Sequence, residues 1–193
     1  MFGLKDYLPI DEAHPKQPVS YYGVSKLAVE QIVKVSRHLY PETDISIIRP
    51  FTVIGTRQRP DMAINYFVSN VLNDKPITVF GDGNQTRDWT HVENIVNATY
   101  LMGIEPKAKN EDFNIGSGIS TSVNEVLELI SKITNKEVKI EYKPFDNADV
   151  KDTLANIEKA KKLLGYSPEK SLKIAIEEFI EDYNKILSKI SSY

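Results

Sequence analysis

No cysteine occurs among the 193 residues, which excludes disulfides, thiolate nucleophiles and cysteine-ligated metals. The three histidines, His14, His38 and His91, are scattered and share no metal-ligand spacing, so they are expected to be ordinary surface or partly buried side chains and no metal is expected. No apolar run approaches the ~20 residues of a membrane span. The N-terminus lacks a basic start followed by an apolar stretch, so no signal peptide is expected and the default is a soluble cytoplasmic protein. Neither sign of charge dominates. The 24 basic and 27 acidic residues are mixed along the chain, which argues against a nucleic-acid or polybasic membrane surface. None of the nine glycines forms G-x-x-G-x-x-G or G-x-G-x-x-G, the loop that carries a dinucleotide pyrophosphate at a helix N-terminus.

What is present is an alternation of helix and strand patterns. A hydrophobic content of 41% can support a core, and the length suggests one domain, or one and a fragment. Residues 1–20 hold three prolines and read as an extended lead-in. Val24, Ala28, Ile32, Val35 and Leu39 form one apolar helical stripe with Pro41 just beyond. Asp44–Phe51 reads as a short buried strand, 55–61 as a basic loop, Ala63–Leu72 as a helix and Ile77–Phe80 as a strand. The turn Gly81-Asp82-Gly83-Asn84 follows. A helix is predicted over 92–103 and a brief strand at Phe113–Ile115. Ser122 and Glu125 have capping-box spacing before another helix. Val138–Tyr142 alternates like a half-buried strand, 154–164 reads as a helix stopped by Gly165, and Leu172–Ile186 carries the last apolar stripe. This order implies an α/β domain.

Tyr22-Gly23-Val24-Ser25-Lys26 places a phenol and an ammonium one helical turn apart on one face. An ammonium beside a phenol favours the phenolate, which suits such a tyrosine to proton transfer. Tyr166 and Lys170 share the spacing, but Pro168 disfavours a continuous helix there, and both read as turn or surface residues.

The Tyr-x-x-x-Lys pair resembles that of the short-chain dehydrogenase/reductase superfamily. The segments YLPIDEAHPKQPVSYYGVSKLAVE, IIRPFTVIGTRQRPDMAI, ITVFGDGNQTRDWTHVENIVNA, FNIGSG and ADVKDTLANIEKAKKLLGYSPEKSL resemble, in order, those of its extended members that act on nucleotide sugars, the 4-epimerases among them. The resemblance implies a partial Rossmann (doubly wound) sheet plus a smaller mixed α/β substrate-binding domain. On that basis residues 1–55 would be a remnant of the NAD-binding domain with the catalytic helix. Residues 56–87 and 117–193 would form the nucleotide-sugar domain, and 88–116 would return to the Rossmann part.

The resemblance also implies roles. Tyr22 would be the acid/base group and Lys26 would hold the nicotinamide ribose, both touching NAD, with Phe51 near the nicotinamide. Arg87 would bind the diphosphate, since a guanidinium suits bidentate phosphate contact. Thr52 would lie near the sugar and diphosphate, and Val79 and Phe80 near the base. For Phe51, Val79 and Phe80 plain core packing is an equal alternative. The loop Gln58–Ala63 is most similar to the branch that epimerises UDP-glucuronate. Arg59 could reach a substrate carboxylate there, Arg57 is an equal electrostatic candidate, and a solvent-facing loop is the alternative.

Asp146-Asn147-Ala148-Asp149 stands where the family has Arg-Pro-Gly-Asp, an acidic residue replacing a phosphate ligand. The glycine loop, the ribose-binding acid and the catalytic Ser or Thr would all precede Met1. Three readings follow. In the first, the chain epimerises a UDP-sugar at C4 only with an N-terminal half, which could be separately encoded, and is inactive alone with weak or absent NAD binding. In the second, it is a non-catalytic nucleotide-sugar-binding or interaction module. In the third, it is a truncated product that survives by self-association. A fragment of an NDP-sugar dehydratase or decarboxylase fits the same residues. A homodimer through residues 22–40 is expected.

Overall fold

Ser20 starts the first helix by accepting a hydrogen bond from the Gly23 N–H at 3.1 Å. Helix α1 (Tyr21–Leu39) then runs to a last turn carrying Arg37 and His38, which suit the negative end of its dipole. In this computed structural model the described residues are 2–3, 5–144 and 150–190, so the Asp146–Asp149 departure lies outside them.

Strands β1 (Ile47–Pro50) and β2 (Thr52–Ile54) are one extended run split at Phe51. Helix α2 (Ala63–Leu72), strands β3 (Ile77–Phe80) and β4 (Thr86–His91) and helix α3 (Val92–Ile104) follow. The chain then forms β5 (Asp112–Ile115), β6 (Ser120–Ser122), α4 (Val123–Thr134), β7 (Ile140–Lys143), α5 (Glu158–Leu164) and α6 (Leu172–Ile190).

The strands form three small sheets. β1 pairs in parallel with β5, Ile48 opposite Phe113 and Arg49 opposite Asn114. β2 pairs in parallel with β4, which pairs antiparallel with β6. β3 and β7 form a parallel pair. Phe51 is where the chain leaves one sheet for the next, its N–H donating to the Ile115 carbonyl at 2.9 Å. Thr52 therefore sits just past the carboxyl end of β1, at the kind of switch point where α/β sheets bind ligands. Parallel pairs, helix cover and the Rossmann-like β1–β5 element bear out the expected α/β class.

Two cores divide the molecule. The larger packs Ile64, Phe67, Val68 and Val71 of α2 against Val126, Leu127 and Ile130 of α4, Ala175, Ile176 and Phe179 of α6, and the strand residues Ile77, Val79 and Trp89. The second gathers Ala98, Phe113, Ile115, Ala155, Ile157, Ala160, Leu164 and Tyr166 on one face of the β1–β5 pair. The capping box is present. Ser122 Oγ accepts from the Glu125 N–H at 3.2 Å and Glu125 accepts from the Ser122 N–H at 2.7 Å. That hydrogen bond holds the Glu125 carboxyl below its usual range.

Several expectations are corrected. Residues 154–157 are not helical. Ile10 donates to the Leu154 carbonyl and accepts from the Asn156 N–H, each at 2.8 Å, so the lead-in claims that backbone and α5 starts only at Glu158. Tyr166 is no surface residue. It is 1% exposed and donates to the Gly116 carbonyl at 2.8 Å. Burial, with the Asp88 charge added, raises its pKa well above the ordinary phenol value. Lys170 pairs with Glu178 at 2.7 Å. Val138 precedes the strand, which begins at Ile140. Apart from these corrections, the α1 stripe, where a contact through residues 22–40 is expected, faces outward, with Val24, Ile32, Val35 and Leu39 each more than half exposed.

Candidate active site

The stretch ITVFGDGNQTRDW builds a strand, a turn and a second strand. Gly83 turns at φ +78°, and a Cβ there would meet the Asn124 amide at 2.0 Å, so only glycine fits both the conformation and the space. Along β4 side chains alternate. Arg87 looks outward. Asp88 looks in, fully buried, accepting from Ser117 N–H and Oγ at 2.7 Å each, Thr90 Oγ1 at 2.9 Å, Gly118 N–H at 3.0 Å and Ala155 N–H at 3.2 Å. One carboxylate thus joins three of the sequence segments that carry the resemblance. Gly116 is its close neighbour, since a Cβ there would lie 2.4 Å from Asp88 Oδ2. From the sequence alone Asp88 is assigned no role. It is a buried hub on a strand, and β4 was not foreseen. Three polar segments converging on an Arg-Asp step were the available signal.

Arg87 Nη1 donates to the carbonyls of Thr86 and Lys151, both at 2.9 Å, which aims the guanidinium. It lines a cleft of about 440 Å³ with Thr52, Gln58, Asp61, Tyr66, Thr78, Phe80, Gln85 and Trp89. Phe80 offers half of its surface to solvent there, while Val79, facing the other way, is 2% exposed in the larger core. Three side-chain-to-backbone hydrogen bonds cross-link the cleft floor. Gln85 Nε2 donates to the Phe80 carbonyl at 2.8 Å, Gln58 Nε2 to the Val53 carbonyl at 2.9 Å, and Trp89 Nε1 to the Thr121 carbonyl at 3.1 Å. Arg59 stands outside the cleft lining, 74% exposed, and pairs with Asp61 at 3.0 Å.

Tyr22 and Lys26 share a face of α1 as expected, the Lys26 ammonium 5.3 Å from the Tyr22 ring centroid. Both are exposed and neither lines the cleft. Phe51 is half-buried, packs on the second core and lies 6.3 Å from the Phe2 ring. The site residues therefore fall into two groups. Thr52, Phe80 and Arg87 share one cleft. Tyr22, Lys26 and Phe51 belong to the β1–β5 side, where, among the described residues, no strand pairs with the outer edge of β1.

One carboxylate–imidazole group converges elsewhere. His91, Glu93 and Glu178 offer ligand atoms within 4.8 Å of one another. His91 is almost fully buried. Its Nδ1 accepts from the Glu93 N–H at 3.0 Å, which leaves Nε2 to donate to Glu178 at 2.9 Å. The Lys170 ammonium reaches Glu178 and Glu93 at 2.7 and 3.5 Å. A proton and an ammonium already serve these groups, so the arrangement is a structural ion network. His14 is likewise buried, its Nε2 accepting from the Asp6 N–H at 3.1 Å.

Residues 1–179 match the family described as GDP-mannose 4,6 dehydratase. The chain is 41% identical over 162 residues to a UDP-glucuronate 4-epimerase of Thermodesulfobacterium geofontis, covering 83% of this chain and 48% of that protein. It shares 34% identity and a TM-score of 0.90 with UDP-glucuronic acid 4-epimerase from Bacillus cereus, solved in complex with UDP-glucuronic acid and NAD, over 94% of this chain and 58% of that one. A UDP-glucose 4-epimerase of Thermotoga maritima, solved with UDP-glucose, is 30% identical with a TM-score of 0.87, over 94% and 59%. The chain spans about half the length of the curated relatives it matches. The matched length shows that the chain belongs to the short-chain-dehydrogenase-like family described as GDP-mannose 4,6 dehydratase, and its identities and shared fold make it similar to the nucleotide-sugar 4-epimerases.

Proposed function

We propose that this chain supplies the substrate cleft and the acid/base pair of an NAD-dependent enzyme that epimerises a UDP-sugar at C4. The observation that carries this is the cleft, which the anchored Arg87 guanidinium, the exposed Phe80 ring and the Thr52 side chain line together, Phe80 at the carboxyl end of β3 and Thr52 just past that of β1. A nucleoside diphosphate needs an aromatic face, a fixed cation and a polar sugar end, and the cleft presents all three. Residues 56–87 and 117–193 would hold the nucleotide sugar, and 1–55 and 88–116 would belong to the dinucleotide-binding part. Of the acidic branch, UDP-glucuronate is the favoured substrate, with Arg59 able to swing from Asp61 to a carboxylate.

The residues on the β1 side fit the nicotinamide end of a dinucleotide. An exposed phenol and ammonium stand on one helix face, with an aromatic ring at the end of β1. When bound, NAD supplies the reversible oxidation that lets C4 change configuration. The work of this chain is then to hold and move protons. Tyr22 Oη takes the proton of the 4-hydroxyl and returns it. Lys26 hydrogen-bonds the cofactor ribose and keeps positive charge beside the phenol. Arg87 and Thr52 fix the sugar against them. Turnover requires the glycine loop and catalytic hydroxyl of the dinucleotide-binding half, in the same polypeptide or in a second one. The outward α1 stripe supports a homodimer through residues 22–40.

Calorimetry with UDP is the test, because the cleft lies within this chain. Replacing Arg87 with alanine is expected to weaken UDP by about 1.5–3 kcal/mol. Unchanged affinity would move the diphosphate elsewhere. In the enzyme completed by its dinucleotide-binding half, Tyr22→Phe is expected to lower the rate ~10²–10⁴-fold with UDP binding retained.

A further inference from the structure

Tyr22, Lys26 and Glu30 recur at every fourth position of α1 and lie on one face of it. The first two are open to solvent, and Glu30 is 4% exposed. Its carboxylate receives a two-pronged fork from Arg49 of β1, Nε to Oε1 at 2.6 Å and Nη2 to Oε2 at 3.0 Å. Lys16 of the lead-in adds a third hydrogen bond at 2.5 Å. Arg49 Nη2 also reaches Asp112 of β5 at 2.5 Å, and Asp112 accepts from Arg37, in the last turn of α1, at 2.9 Å. The helix is thus tied to one strand pair at two heights. Arg49 stands two residues before Phe51 and three before Thr52, on the strand run that carries both.

A guanidinium–carboxylate fork fixes a plane as well as a distance. It therefore resists both sliding and rolling of the helix that bears the carboxylate. Rolling α1 by one residue, about 100°, would take Glu30 out of the fork. Apolar packing supplies less of this restraint, because the fully buried residues of α1 are Gly23 and Glu30, and its apolar Leu27 and Val33 are only partly buried. We propose that Glu30 is a positioning residue. Through Arg49 it sets the roll and height of α1, and so the placement of Tyr22 and Lys26 against Phe51 and Thr52. Its consequence for catalysis rests on the epimerase reading above, whereas its geometric part does not.

The cysteine-free chain allows a clean measurement. Spin labels on cysteines introduced at Ser25, exposed on α1, and Asn97, exposed on α3, report the distance between the catalytic helix and a helix that packs on β2. Glu30→Gln keeps the side chain's size and removes its charge. The expected result is a distance distribution broadened about twofold, with the emission of Trp89, buried in the larger core, unchanged. If that variant does not fold, Arg49→Lys keeps the charge, loses the fork and carries the same expectation. A folded variant with the wild-type distribution would overturn the proposal. In the completed enzyme Glu30→Gln is expected to lower kcat on the order of 10–100-fold at unchanged KM, with partial recovery in Glu30→Asp. A raised KM at unchanged kcat would also overturn it. A broadened distribution in an enzyme whose Tyr22→Phe variant keeps its rate would uphold Glu30 as the anchor of α1 while rejecting the epimerase roles.

Discussion

The lobe that walls the cleft and the helix α1 are held in opposite ways. Around the cleft, α2, α4 and α6 bury a continuous apolar core, and residues such as Val68, Val126, Ile130 and Ile176 are fully enclosed. The helix α1 shows most of its apolar residues to solvent, Leu27 and Val33 being partly buried, and is held by Glu30, Arg49, Asp112, Arg37 and Lys16. The first arrangement is self-sufficient, because hydrophobic burial needs no particular direction. The second trades that for orientation, since charge-assisted hydrogen bonds are directional. A lobe that shapes a cleft needs volume filled. A helix that carries the proposed proton-transfer pair needs its angle set.

Breaking one anchor on each side sharpens the contrast. Truncating Phe67 to alanine in the larger core is expected to cost about 3–5 kcal/mol, read by denaturant unfolding followed through Trp89. That cost should be nearly independent of salt and of mild acid. Arg49→Ala leaves Glu30 buried without its fork and is expected to cost about 3 kcal/mol, with a strong pH signature. Burial pushes the Glu30 and Asp112 carboxyls up. The hydrogen bonds and charges of Arg49 and Lys16 on Glu30, and of Arg37 and Arg49 on Asp112, outweigh it and hold both below the usual carboxylate range. Groups with a depressed folded pKa add stability above their unfolded values, about 4, and lose it as pH falls through the folded ones. Wild-type stability should therefore drop below about pH 4, and Arg49→Ala should flatten that drop. An equally steep acid loss in the variant would show that the charge network is not what holds α1.

The smallest effect on folding is expected where the comparison predicts no packing at all. Ile32 is 64% exposed on α1, so Ile32→Glu should change the stability of the chain by less than about 0.5 kcal/mol. The same substitution should dissociate the proposed dimer, measured by sedimentation at micromolar concentration. A large loss of stability without a change in mass would mean that the stripe packs within its own chain.

Much was legible in the sequence. Helix and strand periods located α1, α2, β3, α3, α4 and α6, because each carries its own apolar spacing and stop signals, as Ser122 and Glu125 do for α4. The five ordered segments were enough to name the family. Contacts between distant segments were not legible. The 154–157 stretch has helical composition, yet Ile10 and Asp88 take its backbone groups. Tyr166 looked polar and turn-bound, and its partner, the Gly116 carbonyl, is fifty residues away. Val79 and Phe80 are neighbours with the same chemistry, and only the pleat of β3 sends one into the core and the other into the cleft.

What the sequence by itself determined is local: the period of each element, the caps, the left-handed glycine turn at Gly83 and the one-turn spacing of Tyr22 and Lys26, all set by neighbours along the chain. Which face of α1 is buried was decided only in three dimensions. By hydrophobicity alone the stripe of Val24, Ile32, Val35 and Leu39 should turn inward, and it does not. Arg49 and Asp112 meet beneath the helix, and a buried guanidinium must be answered by a carboxylate. Glu30 therefore turns in, the stripe turns out, and Tyr22 and Lys26 stand on the helix face that Glu30 aligns.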